Sequence, residues 1–189
     1  MSGAVARRHW FPKPYADLVA RLRVPAGFVM VAAFAIFSRP TPHSLEIGLP
    51  ASLAGLALRA WAAGHLAKNQ RLAVSGPYAF TRNPLYLGTL LTALGLAAAG
   101  HSAWLALLFG VLFGLVYLPA IELEEQHLRA ILPGYAEFAQ RVPLLVPRWP
   151  ASLGPDRFSA ALYRKNREYQ AFLGWCVGAA WLAIRCFAL

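Results

Sequence analysis

Charged residues are scarce in this chain, and acidic residues are the scarcest of them. Only 14% of the 189 residues are charged, and Asp and Glu together number 8. Soluble domains carry about 25% charged residues, so this composition argues against a soluble globular protein. Hydrophobic residues make up 58% of the chain instead. The composition therefore predicts an integral membrane protein.

Cysteine is almost absent, since the chain has 2, Cys176 and Cys186. Both lie in one predicted helix, where the helical rise separates them by about 15 Å, too far for a disulfide between them. This excludes a fold stapled by internal disulfides. We also predict no metal site.

Long apolar runs are abundant, and they predict an all-α, polytopic membrane bundle. A spanning helix needs about 20 apolar residues to cross about 30 Å of hydrocarbon. The third run is too long for one span and is divided at Gly100–Ser102, which gives about five predicted transmembrane helices with interfacial segments on the cytoplasmic side. The predicted spans are Val24–Ser38, Leu45–Leu66, Leu85–Ala99, Trp104–Leu118 and Phe172–Leu189. The predicted units are an interfacial segment over residues 1–23, helices one and two over 24–66, a core over 67–150, and an amphipathic linker with helix five over 151–189.

The net charge of +10 is unevenly distributed along these spans. All but three of the 18 Lys and Arg residues fall on one predicted side of the membrane, the exceptions being Arg39, Arg59 and Arg185. The positive-inside rule then places the N-terminus in the cytoplasm and the C-terminus outside. We expect this basic face to meet anionic lipid headgroups and not nucleic acid.

The stretch Ser75–Gly88, SGPYAFTRNPLYLG, interrupts the apolar runs with residues that fix the shape of the backbone. Pro77 and Pro84 each disfavour helix at the residue before them. Pro84 also suits the first position of a helix, so the next helix is predicted to begin there. Arg82 would then lie at a helix N-terminus at the membrane surface.

Helix two carries two polar side chains in its cytoplasmic half. Arg59 is predicted inside the span, where a charge must snorkel, pair or face a polar cavity. His65 shares a face with Trp61, four residues earlier. For Arg59, snorkelling and lining a site are both open; for His65, so are an interfacial role and a role as a ligand.

An acidic cluster follows helix four. The sequence IELEEQHLRAIL places Glu122, Glu125 and Arg129 on one helical face, with Glu124 pointing elsewhere. A solvated face is the usual meaning of such a cluster. Because it directly follows a membrane helix in a chain with few acids, we favour a functional group opposite the arginine turn.

Two blocks, GPYAFTRNPLYLG and EEQHLRAILPGYAEFAQRVPLLVP, resemble the C-terminal signature of the isoprenylcysteine carboxyl methyltransferase and phospholipid methyltransferase superfamily. The resemblance covers about Arg59 to Pro147. Asn83 stands where the family has a histidine, and Phe138 stands where it has a second tyrosine. The matching residues are Gly76, Pro77, Tyr78, Arg82, Pro84, Tyr86, Gly88, Glu124, Glu125, Leu128, Tyr135, Val142, Pro143 and Pro147.

The resemblance implies a methyltransferase that uses S-adenosylmethionine as methyl donor. Arg82 can pair with the donor's carboxylate through its planar fork, a glutamate can accept hydrogen bonds from its ammonium or ribose, and a tyrosine can face its sulfonium. The predicted cofactor-binding residues are Tyr78, Arg82, Asn83, Pro84, Tyr86, Glu122, Glu124 and Glu125.

The acceptor implied by the family is a membrane lipid or a lipid-anchored molecule. Much of the catalysis can come from aligning donor and acceptor. For an amine acceptor, Glu125 or His65 is the candidate base, and for a carboxylate acceptor, Arg129 or Arg59 is the candidate residue that holds it. Two alternatives stay open: an enzyme like the NADPH-dependent sterol reductases, and a membrane protein that binds on this scaffold without chemistry.

Overall fold

The computed structural model describes residues 11–188, and within them the protein is all-helical. Residues 1–10, which belong to the predicted interfacial segment, and Leu189 lie outside the described part. The α-helices are α1 Lys13–Phe37, α2 Pro42–Ala63, α3 Pro84–Ala99, α4 Ala103–Leu112, α5 Leu118–Ile131, α6 Tyr135–Arg141, α7 Ala160–Lys165 and α8 Tyr169–Phe187.

Helix α1 is longer than the predicted first span. It runs for 25 residues from Lys13 and contains Pro25 in its interior. A proline in the first turn, here Pro14, removes no helical hydrogen bond and therefore favours this early start. The predicted division between residues 23 and 24 thus falls inside a continuous helix.

Among the described helices, α2 and α3 pack against each other most extensively. A Cβ on Gly55 would lie 2.5 Å from the backbone N of Thr92, and one on Gly88 would lie 2.8 Å from the carbonyl oxygen of Gly55. Small residues at such positions let two helix backbones approach closely. Gly88 therefore packs directly against the backbone of α2.

The helical hairpin predicted at Gly100–Ser102 is present, and its second arm extends beyond the predicted span Trp104–Leu118. The Ser102 hydroxyl accepts a hydrogen bond from Leu105 N at the start of α4. Residues Phe113–Tyr117 then form a π-helical turn that joins α4 to α5. The combined helix runs from Ala103 to Ile131, past Pro119, because a π-turn can absorb the break that proline introduces. The acidic cluster is therefore a direct extension of an apolar helix.

Two of the described helices, Ala103–Ile131 and Tyr169–Phe187, are long and apolar enough to cross a membrane. Pro25–Phe37 and Pro84–Ala99 are apolar but shorter. The prediction of five spanning helices is therefore not confirmed, since two of the described helices meet the requirements of length and hydropathy.

Candidate functional site

The turn before α3 is held between α2 and the segment that follows α6. Its residues Gly76–Ala79 form a 3₁₀ helix, and Gly76, at a φ of 62°, lies against the His65 ring. Gly76 N donates to Leu153 O at 2.7 Å, and Arg82 N donates to Pro143 O at 2.9 Å. Pro84 occupies the first turn of α3, as predicted, with Asn83 as the preceding cap residue. The chain thus fixes the backbone on both sides of Arg82.

Arg82 pairs with Glu125 of α5. The Arg82 Nε atom lies 2.7 Å from Glu125 Oε1, although the N–H is not aligned with it, and Nη2 donates to Oε2 at 3.2 Å. Nη1 donates to the carbonyl oxygen of Ala139. Both charged side chains are 10% exposed. The arginine turn and the acidic helix therefore meet, as the sequence predicted.

Asn83 joins the same network. Its Nδ2 donates to Leu144 O at 3.1 Å and to Glu125 Oε1 at 3.4 Å. The residue is 9% exposed. Asn83 therefore acts as a donor that ties the turn to α5 and to the segment after α6.

A cleft of about 600 Å³, open to solvent, lies beside this pair. One wall comes from the connection after α2, including Lys68 and Arg71, and the opposite wall includes Leu128, Tyr135 and Phe138. Six of the eight predicted cofactor-binding residues line it: Tyr78, Arg82, Asn83, Pro84, Tyr86 and Glu124.

Glu124 and Tyr86 face each other at the cleft. The Tyr86 hydroxyl donates to Glu124 Oε2 at 2.9 Å, and its ring contacts Tyr117 edge-on at 6.2 Å between centroids. Glu124 is exposed and Glu125 is buried. The carboxylate on the cleft wall is therefore that of Glu124, which helical periodicity placed on a different face from Glu122 and Glu125.

Two tyrosines of the cleft have pKa values above the ordinary range. Burial is the main cause of the raised pKa of Tyr78, followed by the charge of Glu124 and then that of Glu168. Burial is also the main cause of the raised pKa of Tyr135, followed by the charge of Glu125. Both phenols are therefore neutral at physiological pH and can donate hydrogen bonds.

Glu122, Glu125 and Arg129 do not line the cleft. Glu122 Oε2 accepts from Phe11 N at 3.1 Å, on the side of α5 that faces the beginning of α1. Arg129 Nη2 lies 4.0 Å from Glu125 Oε2, and its guanidinium lies 5.7 Å from the centroid of the Tyr135 ring. Glu125 and Arg129 are thus placed behind the cleft wall, next to Arg82 and Tyr135.

His65 is buried among aromatic rings and does not line the cleft either. Its Nδ1 lies 3.0 Å from Trp61 O, and its ring contacts Trp61 and Phe158 edge-on. These contacts give it a packing role under Gly76.

Arg59 is paired with a residue that the sequence did not single out. Its Nε donates to Glu168 Oε2 at 3.0 Å and its Nη2 to Oε1 at 2.8 Å, a bidentate pair. Its Nη1 donates to Thr89 Oγ1 and, at 3.4 Å, to Leu85 O. Glu168 precedes α8, in the predicted amphipathic linker, where its neighbours are basic and aromatic. An acidic residue directly before a membrane helix, next to the basic residues of the linker, was the available signal.

Within residues 11–188, no group of three or more His, Cys, Asp or Glu side chains is placed to hold a metal ion. The polar groups that line the cleft are two guanidinium groups, one ammonium group, one carboxylate, two amides and three phenols, which can form ion pairs and hydrogen bonds with a charged organic molecule.

Comparison with known proteins finds a match to the family described as phospholipid methyltransferase, over residues 51–134. The cobalt-zinc-cadmium resistance protein CzcN of Cupriavidus metallidurans is 36% identical over 166 residues, which cover 82% of this chain and 76% of that protein. The nickel-cobalt-cadmium resistance protein NccN of Alcaligenes xylosoxydans xylosoxydans is 28% identical over 176 residues, which cover 86% and 77%. No solved structure shows significant similarity.

Proposed function

Because the chain belongs to the phospholipid methyltransferase family, part of the isoprenylcysteine carboxyl methyltransferase and phospholipid methyltransferase superfamily, we propose that it is an integral membrane methyltransferase. Its donor is S-adenosylmethionine, and its acceptor is a lipid or a lipid-anchored molecule. The site faces the cytoplasm, in keeping with the distribution of basic residues.

The observation that best supports this proposal is the position of the Arg82–Glu125 pair next to the cleft. A guanidinium has five N–H donors, and the hydrogen bonds to Glu125 and Ala139 engage two of them, one on each terminal nitrogen, while Nε lies beside Glu125 Oε1 without an aligned hydrogen bond. One N–H on each terminal nitrogen remains for the donor's carboxylate. Glu125 thus serves to orient the fork, and Arg82 serves to bind.

The other cleft residues complement the rest of the donor. Glu124 can accept hydrogen bonds from the ammonium or from ribose hydroxyls. The face of Tyr78 or Tyr86 can attract the sulfonium, an interaction worth about 0.5–2 kcal/mol. S-adenosylmethionine supplies an activated methyl group, and these residues fix its orientation, which is where much of the rate enhancement of a displacement reaction originates.

Binding of the donor tests the proposal directly. Purified protein in lipid nanodiscs is titrated with S-adenosylmethionine and, separately, with NADPH. We expect saturable binding of the first and none of the second. Arg82→Lys should weaken donor binding by about tenfold or more, since an ammonium cannot replace the bidentate fork and a charged hydrogen bond is worth about 1.5–3 kcal/mol.

The matched control is Arg39→Lys, an exposed arginine near the opposite surface. It should bind the donor like the wild type. Wild-type donor affinity in Arg82→Lys would refute the bidentate role. Binding of NADPH without S-adenosylmethionine would favour the reductase alternative instead.

The names of the two relatives suggest a physiological setting. We propose that this chain supports metal tolerance through a methylated membrane component, made at the cleft described above. A host strain lacking the protein should lose cadmium tolerance and regain it with the wild-type chain but not with Arg82→Ala. Full tolerance with a variant that binds no S-adenosylmethionine would contradict this link.

A further inference from the structure

A second cavity lies between α2 and the linker that leads into α8. It has a volume of about 420 Å³, part of which is open to the outside of the bundle. Its walls are mainly aliphatic and aromatic, with one carboxylate; they include Leu56, Ala57, Ala60, Tyr163, Glu168 and Phe172. We call this cavity the α2–α8 groove. Such a lining suits an apolar ligand with one polar group.

The polar point of the groove is linked to the methyl-donor cleft through a single arginine. Glu168 lines the groove and forms the bidentate pair with Arg59. Arg59 in turn donates to the carbonyl oxygen of Leu85, and Leu85 lines the cleft. The contacts from Glu168 to Arg59 and from Arg59 to Leu85 therefore connect the groove to the cleft.

Tyr78 gives independent support for this proximity. It lines the cleft, and the charges of Glu168 and Arg59 both act on its phenol, in opposite directions. The Arg59–Glu168 pair is thus close enough to the cleft for its charges to act on the pKa of Tyr78.

The groove opens beside a helix whose outer face suits lipid. Helix α8 is long and apolar enough to span a bilayer, and only 6% of its apolar stretch is buried in the protein. Leu173 and Val177 are 58% and 72% exposed. Water does not stabilise such a face, whereas hydrocarbon does. The expected occupant of an apolar groove at this position is a lipid chain.

We propose that the α2–α8 groove binds the hydrocarbon chain of the methyl acceptor, with the polar end of that lipid directed toward the Arg59–Glu168 pair. That the bound lipid is the methyl acceptor rests on the proposed methyltransferase function. That the groove binds a lipid chain rests on the groove alone. Arg59 and Glu168 are positioning residues here: they mark where the chain ends and the headgroup begins.

The test uses a phosphatidylcholine with a photoreactive diazirine in its acyl chain, incorporated into nanodiscs that hold the full-length protein. After illumination, crosslinked peptides are identified by mass spectrometry. We expect enrichment of crosslinks at Leu53–Ala60 and Tyr163–Phe172 over the exposed residues of α1. Ala57→Phe, which fills the groove from an exposed position, should reduce these crosslinks by about tenfold, the effect of excluding about two methylene groups.

The matched control is Ala51→Phe, which adds the same ring to the same helix at an exposed position outside the groove. It should crosslink like the wild type. Equal labelling of all apolar helices, or unchanged labelling in Ala57→Phe, would overturn the proposal that the groove binds a lipid chain.

A second readout separates this proposal from the proposed function. In a methyl-transfer assay with a membrane lipid extract, Ala57→Phe should raise the apparent KM for lipid while the Kd for S-adenosylmethionine stays the same. If the protein fails to bind S-adenosylmethionine but the groove still crosslinks, the function is wrong and the lipid site stands. A change in donor Kd with an unchanged lipid KM would place the groove with the donor and overturn the proposal.

Discussion

Removing the charge of Glu125 should destabilise the protein more than any other single change of an acid to its amide. Glu125→Gln preserves the shape of the side chain but leaves Arg82 without its counter-ion. Both side chains are 10% exposed, and Arg82 Nε lies 2.7 Å from Glu125 Oε1. The neighbouring Arg129, 4.0 Å from Oε2, would then face Arg82 with no carboxylate between them.

The expected cost follows from the burial of the pair. Breaking a buried ion pair by removing one partner costs about 3–5 kcal/mol, since an uncompensated charge remains in a poorly solvated place. For a chain of this length, about 1 kcal/mol corresponds to roughly 2–4 °C in Tm, so a loss of roughly 6–20 °C is expected. Glu124→Gln should change the free energy of unfolding by less than about 1 kcal/mol, because Glu124 is exposed.

A double-mutant cycle isolates the pair from other effects of the substitution. Tm is measured by tryptophan fluorescence, without donor, in nanodiscs holding the wild type, Glu125→Gln, Arg82→Met and the double variant. Since the second substitution removes the orphaned charge, the double variant should lose about 1–3 kcal/mol less than the sum of the single losses. Strictly additive losses would refute the statement that Arg82 and Glu125 stabilise each other.

Three further predictions concern packing, protonation and the linker. Gly55→Ala should lower Tm clearly, since the new methyl would lie 2.5 Å from a backbone nitrogen of α3, whereas Gly110→Ala, with open space around it, should be neutral or stabilising; equal effects would contradict the close packing of α2 and α3. Raised pKa values for Tyr78 and Tyr135 mean that the folded state holds these two protons more tightly than the unfolded state, so their contribution to stability is complete below pH about 10 and declines as pH rises further. The variant with phenylalanine at both positions should therefore lose less Tm than the wild type between pH 9 and pH 11, and an identical loss would refute the assignment. Asp156→Asn should cost less than about 1 kcal/mol, because its ion pair with Arg71 is partly exposed, at 31% for Asp156 and 55% for Arg71. A loss of several kcal/mol would show that the linker contributes more than this pair indicates.

The sequence was sufficient to predict the features that depend on local chemistry. Prolines and the apolar runs predicted an all-helical chain with a helix starting at Pro84, and the structure has both. The meeting of Arg82 with the acidic helix was predicted from the resemblance and from charge complementarity. It is realised through Glu125.

The features that the sequence did not reveal depend on how distant segments meet. Helical periodicity grouped Glu122 with Glu125, yet Glu122 contacts the start of α1, and Glu124 lines the cleft. The π-turn at Phe113–Tyr117 rotates α5 relative to α4, and nothing in a 3.6-residue pattern predicts such a turn.

For Arg59, the sequence predicted the need for a partner but not which residue the partner is. Its position inside an apolar helix predicted a need for a partner, and that expectation was physically sound. The partner, Glu168, is 109 residues away in sequence and belongs to a linker that otherwise looks like a surface anchor. Only the packing of α8 against α2 brings the two together.

Transfer of the methyl group itself is the decisive experiment on whether this chain is a membrane methyltransferase. Purified protein in nanodiscs made from a bacterial lipid extract is incubated with S-adenosylmethionine labelled at its methyl carbon, and the label is measured in the organic phase. We expect label in a lipid with the wild type and with Arg39→Lys, and loss of that label with Arg82→Ala. Saturable donor binding with no label in any lipid, or equal label with Arg82→Ala, would contradict it.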